Sequence, residues 1–365
     1  MTRTCVLIYV ASALLAVTVL APQFAAASAT GGLSERDKAA AGNALVASKS
    51  AKWGAFRKYH QSIKSPVLKK VLSWHLFSTA NSGASFQEIS GFLRKNAHWP
   101  LRRQLQIRAE EVMPHSLPAS HIFTWFENRK PLTPNGTARL AASHLEQGNT
   151  KKATKLIRDI WVRGNFGARQ ERQFYRQFRR YMTRKDHIER LDRLLWAGKY
   201  HPVRRMYRRI HQDYRALAEA RLALRRFRGG VDRAISQVPD WLRNDPGLMY
   251  ERLRWRRKKG KDKFARELLA QQPKNLVAPL RWWRERAIVA RRALRAGNVS
   301  EAYAISKNHG LDKDHRPGLV SAEWLAGWIA LRFLRDTADK EAAYTHFVTA
   351  YRHSTYPIRY SRNNV

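Results

Sequence analysis

One pattern, repeated six times, constrains this chain more than anything else in it. Each copy is an apolar-striped segment of helical period, a glycine or polar turn, and a second striped segment. The first copy has Leu140, Ala141 and Leu145, then Gly148-Asn149, then Ala153, Leu156, Ile157, Ile160 and Trp161. The second has Leu191, Leu194 and Leu195, then Gly198-Lys199, then Met206, Tyr207 and Ile210. The third has Leu217, Ala220 and Leu224, then Gly229-Gly230, then Ile235 and Val238. The fourth has Leu253 and Trp255, then Gly260, then Phe264, Leu268 and Leu269. The fifth has Ala287, Ala290 and Leu294, then Gly297-Asn298, then Ala302, Ala304 and Ile305. The sixth has Trp324, Leu325, Trp328 and Leu331, then Asp336-Thr337, then Ala343, Phe347 and Tyr351. Spacings of three and four put each set on one helical face, and glycine at the turn takes the left-handed conformation that ends a helix. From Gly198 onward the turns lie about 30 to 40 residues apart, the period of helical-hairpin solenoids. A lone hairpin cannot bury its stripe, so neighbours must stack. Valine and isoleucine are scattered, and strands are not expected. The predicted fold is an all-α superhelix (solenoid) of stacked antiparallel helical hairpins over residues 53–358. From Trp53 to about Lys130 the pattern is less regular, broken into shorter helices by Pro66, Pro100, Pro114 and Pro118, with Pro131 and Pro134 just beyond.

Residues 1–29 read as a cleavable export signal. Arg3 supplies the positive start, Val6 to Leu20 an apolar run, and Ala27-Ser28-Ala29 a small-x-small cleavage site. An uncleaved anchor is the alternative, though the run is short for a membrane span. Nothing later approaches a transmembrane length, so the reading is a periplasmic protein with no membrane segment after cleavage. Residues 30–52 are small and polar and read as a mobile lead-in. Cys5 is the only cysteine and lies in the signal, which leaves the mature chain without disulfide, thiol nucleophile or thiolate site.

The formal net charge is +41. Such an excess attracts polyanions with a salt-dependent encounter. In the cytosol nucleic acid would rank first. Behind an export signal the expected partners are peptidoglycan or another anionic cell-envelope polymer, with protein partners as a further class and no nucleic acid. The other reading of the charge is a solvated helical surface. Arg254, Arg256, Arg257, Lys258, Lys259 and Lys261 form the densest block, interleaved with Trp255.

Catalytic signatures are scarce. There is no His-Glu-x-x-His, no Gly-x-Ser-x-Gly and no phosphate loop. His98, His115 and His121 match no helical metal-ligand spacing, and no cofactor is expected. Glycan cleavage needs a carboxyl whose pKa is raised in an apolar cleft. Glu110-Glu111 sits among arginines, where Arg108 would favour the charged form. Glu285 lies inside Trp282-Trp283-Arg284-Glu285-Arg286. This cluster is either a sugar- or peptide-contacting patch or a core segment in which Arg286 stacks on Trp282. The substrate-contact candidates are Trp282, Trp283, Arg284, Arg286, Trp255 and Arg256. Were any acid to act, it would come from Glu110, Glu111, Glu285 and Glu323.

Four segments carry a resemblance: Tyr214 to Leu224, Asn244 to Arg252, Trp282 to Arg292, and Ala322 to Phe333. In this order they resemble the helical N-terminal half of the soluble lytic murein transglycosylases, across roughly residues 130–358. The resemblance implies the ring-like scaffold that surrounds a lysozyme-like catalytic domain in that family. It also implies association with glycan cleavage that closes a 1,6-anhydro ring on the muramic residue. The family's catalytic domain carries a Glu-Ser pair followed by Gly-Leu-Met-Gln. No Glu-Ser occurs here, and Gly247-Leu248-Met249-Tyr250 lacks the Gln. No catalytic residue is therefore carried over, and this chain alone is expected to be inactive. Residues 359–365 do not resemble the family, which is expected if an early stop or shifted frame has truncated the chain before its catalytic module.

Overall fold

The structure is a computed structural model, which describes residues 33–271, 276–334 and 336–354. The expected export signal and the tail over 359–365 lie outside the described residues. Among the described residues the fold is all-α, with no strand. No described helix is long and apolar enough to cross a membrane. The chain divides into two compact units, Met1–Pro118 with Lys130–Gly136, and Ala119–Arg129 with Thr137–Val365.

The first unit contains α1 (Glu35–Lys49), α2 (Trp53–Ser62), α3 (Pro66–Ser78), α4 (Phe86–Lys95) and α5 (Arg102–Glu111). Part of the segment expected as a mobile lead-in is thus a helix. Ser34 caps α1, whose buried face is Ala40, Ala41, Ala44 and Ala47. Alanine carries too little hydropathy to mark a stripe, which is why the sequence reads as a lead-in. Asp37 accepts the backbone N–H groups of Lys64 and Ser65, both at 2.9 Å, and so fixes the start of α3. Ser85 and Glu88 close a capping box on α4, and Arg57 of α2 pairs with Glu88 at 2.8 Å. Phe56, Leu72, Ile89 and Leu105 fill the core between these helices.

The second unit begins with α6 (Ala119–Phe126). It takes in most of α7 (Pro134–Glu146), then α8 (Thr150–Arg163), α9 (Ala168–Phe178), α10 (Arg184–Trp196), α11 (Tyr200–Met206), α12 (Gln212–Arg225) and α13 (Val231–Ser236). The remaining helices are α14 (Pro246–Lys258), α15 (Asp262–Ala270), α16 (Pro279–Arg295), α17 (Val299–Lys307), α18 (Arg316–Phe333) and α19 (Thr337–His353). The six units read from the sequence are the pairs α7/α8, α10/α11, α12/α13, α14/α15, α16/α17 and α18/α19. First helices pack on first helices along the array, α10 on α12, α12 on α14, α14 on α16 and α16 on α18. This is the solenoid arrangement. Gly148, Gly198, Gly260 and Gly297 hold φ of +73°, +68°, +69° and +78° at the hairpin turns. Each is followed by an N–H that reaches back to the last helical turn, as from Asn149 to His144 O at 2.8 Å. The third hairpin differs. Phe227 takes the left-handed position at +54°, and Gly230 starts the next helix instead.

Arginines fasten one hairpin to the next. A helix C-terminus presents carbonyls without intrahelical partners and a negative dipole end, and here the following hairpin supplies a guanidinium to it. Arg190 donates to Trp161 O at 2.5 Å and Gly164 O at 3.1 Å, and Arg193 to Gly164 O at 2.8 Å. Arg225 donates to Leu195 O and Trp196 O, Arg254 to Arg225 O at 3.3 Å, and Arg292 to Arg257 O at 3.0 Å. The pairs 190/161, 193/164, 225/196 and 254/225 are each 29 residues apart, one step of the array. Carboxylates lie in the same seams. Asp192 and Asp245 pair with Arg221, Glu251 with Arg225 and Arg254, and Glu285 with Arg257. Glu171, on α9, is 1% exposed and gathers Arg190, Arg205 and Arg209. Much of the positive charge is therefore spent inside the fold.

Candidate functional site

The arginines not consumed by the seams mark the site. A cavity of about 320 Å³ opens between the hairpins α12/α13 and α14/α15. Its apolar wall is Leu224, Val231, Ile235 and Trp255, and its polar wall is Arg243, Arg252 and Arg256 with Asp232 and Ser236. Arg252, Trp255 and Arg256 stand three and four apart on α14, so one helical face delivers all three. Leu253 on another face of α14 is wholly buried and fixes the rotation of the helix. Arg243 comes from the turn after Asp240–Leu242, and Val231, Asp232 and Ile235 from α13.

The three guanidiniums are not equivalent. Arg256 donates to Phe264 O at 2.8 Å, on α15. Arg243 donates to Val238 O at 3.3 Å and pairs with Asp240 at 2.9 Å. Arg252 has neither hydrogen bond nor ion pair among the described residues. Burial pushes its pKa below the ordinary arginine value, and the neighbouring Arg243 pushes the same way. Arg256 is lowered by burial and then by Arg252, while Glu267 and Asp232 oppose the shift. Asp240 thus offsets Arg243, and Asp232 and Glu267 act on Arg256, which leaves Arg252 as the guanidinium of this cavity without an ion-pair partner among the described residues. Lys261 adds a further cation, its ammonium lying 5.3 Å from the centre of the Trp255 ring. The Trp255 indole N–H is buried without an acceptor among the described residues.

Of the residues singled out in the sequence, Trp255 and Arg256 line this cavity. The others lie elsewhere. Trp282 is wholly buried and Trp283 nearly so, in the core shared by α14 to α18. Arg286 is 1% exposed and donates to Ile305 O at 2.6 Å and Leu269 O at 3.3 Å, where burial brings its pKa down to about 10. It serves the ends of α17 and α15. Arg284 is exposed on the opposite side of α16. The sequence reading missed Arg252, Arg243 and Asp232. Arg252 was legible as the residue one turn before Arg256, whereas Arg243 and Asp232 are brought in by the packing of α13 on α14.

The four glutamates considered as acids have separate fates. Glu110 is 0% exposed and accepts from Gln106 Nε2, Leu132 N and Thr133 N, each at 2.8 Å, and from Thr133 Oγ1 at 3.0 Å. Burial raises its pKa. The expectation that Arg108 would hold it ionised is corrected, since Arg108 turns to Glu111 instead. Enclosed on all sides, Glu110 ties the segment 130–136 to α5. Glu285 is buried against Arg257. Glu323 on α18 accepts from His309 Nε2 at 3.1 Å and His346 Nδ1 at 2.5 Å. Against the cost of burial, these two histidines hold its carboxyl down at about 2. His309 Nδ1 accepts the Leu311 N–H at 2.9 Å, so its proton sits on the Nε2 that faces Glu323. Among the described residues no group of three or more potential metal ligands gathers.

No family model matches the sequence, and no curated protein does. Among solved structures the chain is similar to the 70 kDa soluble lytic transglycosylase SLT70 of Escherichia coli, at 11% sequence identity. That alignment covers 91% of this chain and 74% of that one, with a TM-score of 0.37.

Proposed function

We propose that this chain is a lytic transglycosylase-like helical scaffold of the periplasm that binds peptidoglycan, or another anionic polymer of the cell envelope, without cutting it. The observation that carries the reading is the cavity between α12/α13 and α14/α15, where three guanidiniums face one carboxylate beside the densest basic block of the sequence. The four segments that resemble the soluble lytic murein transglycosylases support the choice of polymer. The absence of a Glu-Ser pair from the sequence supports the non-cleaving role.

The test is co-sedimentation of the protein with purified sacculi across a salt series, followed by mass spectrometry of released muropeptides. Binding at low salt that falls steeply as salt rises is expected, because each phosphate or carboxylate contact releases a counterion. No anhydromuramyl ends should appear above the buffer control. Protein left in the supernatant at low salt would refute the binding role, and anhydromuramyl products would refute the non-cleaving one.

A second reading, an adaptor for protein partners, is favoured by one observation. Trp324, 52% exposed, stacks parallel on Trp328 with ring centres 6.1 Å apart, and Phe333 packs edge-on against Trp328. Aromatic surfaces of this kind are common at protein interfaces. Retention of one discrete protein in a pull-down, lost in Trp324→Ser, combined with indifference to sacculi, would favour the adaptor.

A further inference from the structure

We infer that the cavity between α12/α13 and α14/α15 receives the C-terminal carboxylate of a short peptide with small apolar side chains, held by the free guanidinium of Arg252. This rests on the wall-binding reading and names the group that the wall would present.

Four features of the cavity select that chemistry. The first is the free fork. Arg243 and Arg256 already donate to carbonyls of their own neighbourhood, at 3.3 and 2.8 Å, while Arg252 has no partner among the described residues. A half-buried guanidinium without an acceptor is costly, and its planar pair of N–H groups matches one carboxylate. The second is the charge balance. Three guanidiniums and the carboxylate of Asp232 line the space, and with Asp240 paired to Arg243 a net positive charge remains at Arg252, so an anion is favoured over a cation. The third is the floor. Leu224, Val231 and Ile235 carry no donor, so apart from the Trp255 indole N–H this wall gives an alkyl side chain an apolar seat. The fourth is size. About 320 Å³ lies at the small end of ligand cavities, enough for one or two small residues and their terminal carboxylate. The Ser236 hydroxyl lines the same cavity and offers a partner to the peptide amide.

The experiment is isothermal titration of the full chain with N-acetyl-D-alanyl-D-alanine, its C-terminal amide, and inorganic phosphate, run beside the sacculus assay on the same preparations. The free acid should bind at least tenfold more tightly than either comparator. Arg252→Gln should weaken the acid at least tenfold and leave the amide unchanged. Arg252 makes no bond in the fold, so this variant should keep the parent Tm. Ile235→Trp, which fills the cavity from the apolar side, should abolish binding of the acid while Arg252 stays in place. Equal binding of acid and amide would overturn the inference, as would phosphate binding tighter than the acid, or acid binding unmoved by either variant. If sacculi still carry the protein down while the dipeptide does not bind, this inference fails and the wall-binding reading stands. If neither binds, both fail.

Discussion

Replacing Glu171 by glutamine tests whether the charge buried in the seams holds the solenoid together. Glu171 Oε2 accepts from Arg190 Nη2 at 3.2 Å and from Arg205 Nε and Nη2 at 3.1 and 2.8 Å, and Oε1 accepts from Arg209 Nη1 at 3.1 Å. Arg190 and Glu171 have side chains 1% exposed, and Arg209 15%. Arg190 is further held over the faces of Trp161 and Phe166, at 4.3 and 4.9 Å, and by Trp161 O and Gly164 O. It cannot swing to solvent without breaking the α8–α10 seam. The isosteric glutamine keeps the volume, removes the negative charge, and turns an NH₂ toward guanidinium donors. Breaking a buried pair in this way costs about 3–5 kcal/mol. For a unit of this size each kcal/mol lowers Tm by about 2–4 °C, so a fall of roughly 6–20 °C is expected. The assay is thermal and urea unfolding followed by far-UV circular dichroism. The loss should persist at 1 M salt, because a desolvated pair is poorly screened. Glu111→Gln is the control. Its pairing with Arg108 is partly solvated and should contribute less than about 1 kcal/mol. A Glu171→Gln loss no larger than the control's would refute the cross-linking role.

Other expectations follow from the same reasoning. Glu323 is held at about 2 against an ordinary 4.5. A depressed carboxylate contributes stability that is present above its unfolded pKa and lost as pH falls from about 4.5 toward about 2. The difference corresponds to something on the order of 3 kcal/mol. The α18/α19 hairpin should therefore loosen across that acid window, with hydrogen exchange as the readout, and Glu323→Gln should weaken the dependence. Gly247→Ala places a Cβ 2.1 Å from the Arg221 guanidinium, which Asp192 and Asp245 hold. The Arg221 pairings must give way, at a cost of about 1–3 kcal/mol in urea unfolding. A neutral result would mean that Arg221 moves freely. Lys258, Lys259 and Lys261 are exposed. Changing all three to glutamine should leave Tm within about 1 °C and reduce the salt slope of sacculus binding by about 2 to 3. An unchanged slope would move the contact away from this block.

The helical hairpins were legible because their information is local. Apolar residues at helical spacing, glycine after the last turn and a period near 30 residues define each pair without reference to the rest of the chain. Leu191, Leu194 and Leu195 are buried as their spacing demands, and Gly198 adopts the positive φ its position requires. Helix α1 escaped the same reading because its buried face is alanine, recognisable only once α2 and α3 lie against it. At the tryptophans of α16 the sequence left two readings open, a contact patch or a core segment. Trp282 and Arg286 have the composition of a contact patch, yet both are buried.

What the sequence by itself determined is thus the class of fold, the number and order of hairpins in the second unit, and the excess of cationic groups. Which arginines are spent could be settled only in three dimensions. Arg190, Arg225 and Arg254 differ from Arg252 in nothing that composition or periodicity records, since all lie on amphipathic helices among like neighbours. The stacking of one hairpin on the last brings helix-end carbonyls and seam carboxylates within bonding reach of the first three, and leaves the fourth lining a cavity with no hydrogen bond or ion pair among the described residues. A guanidinium's role depends on the acceptors within its reach, and those acceptors lie about 30 residues away along the chain, beyond what local pattern encodes.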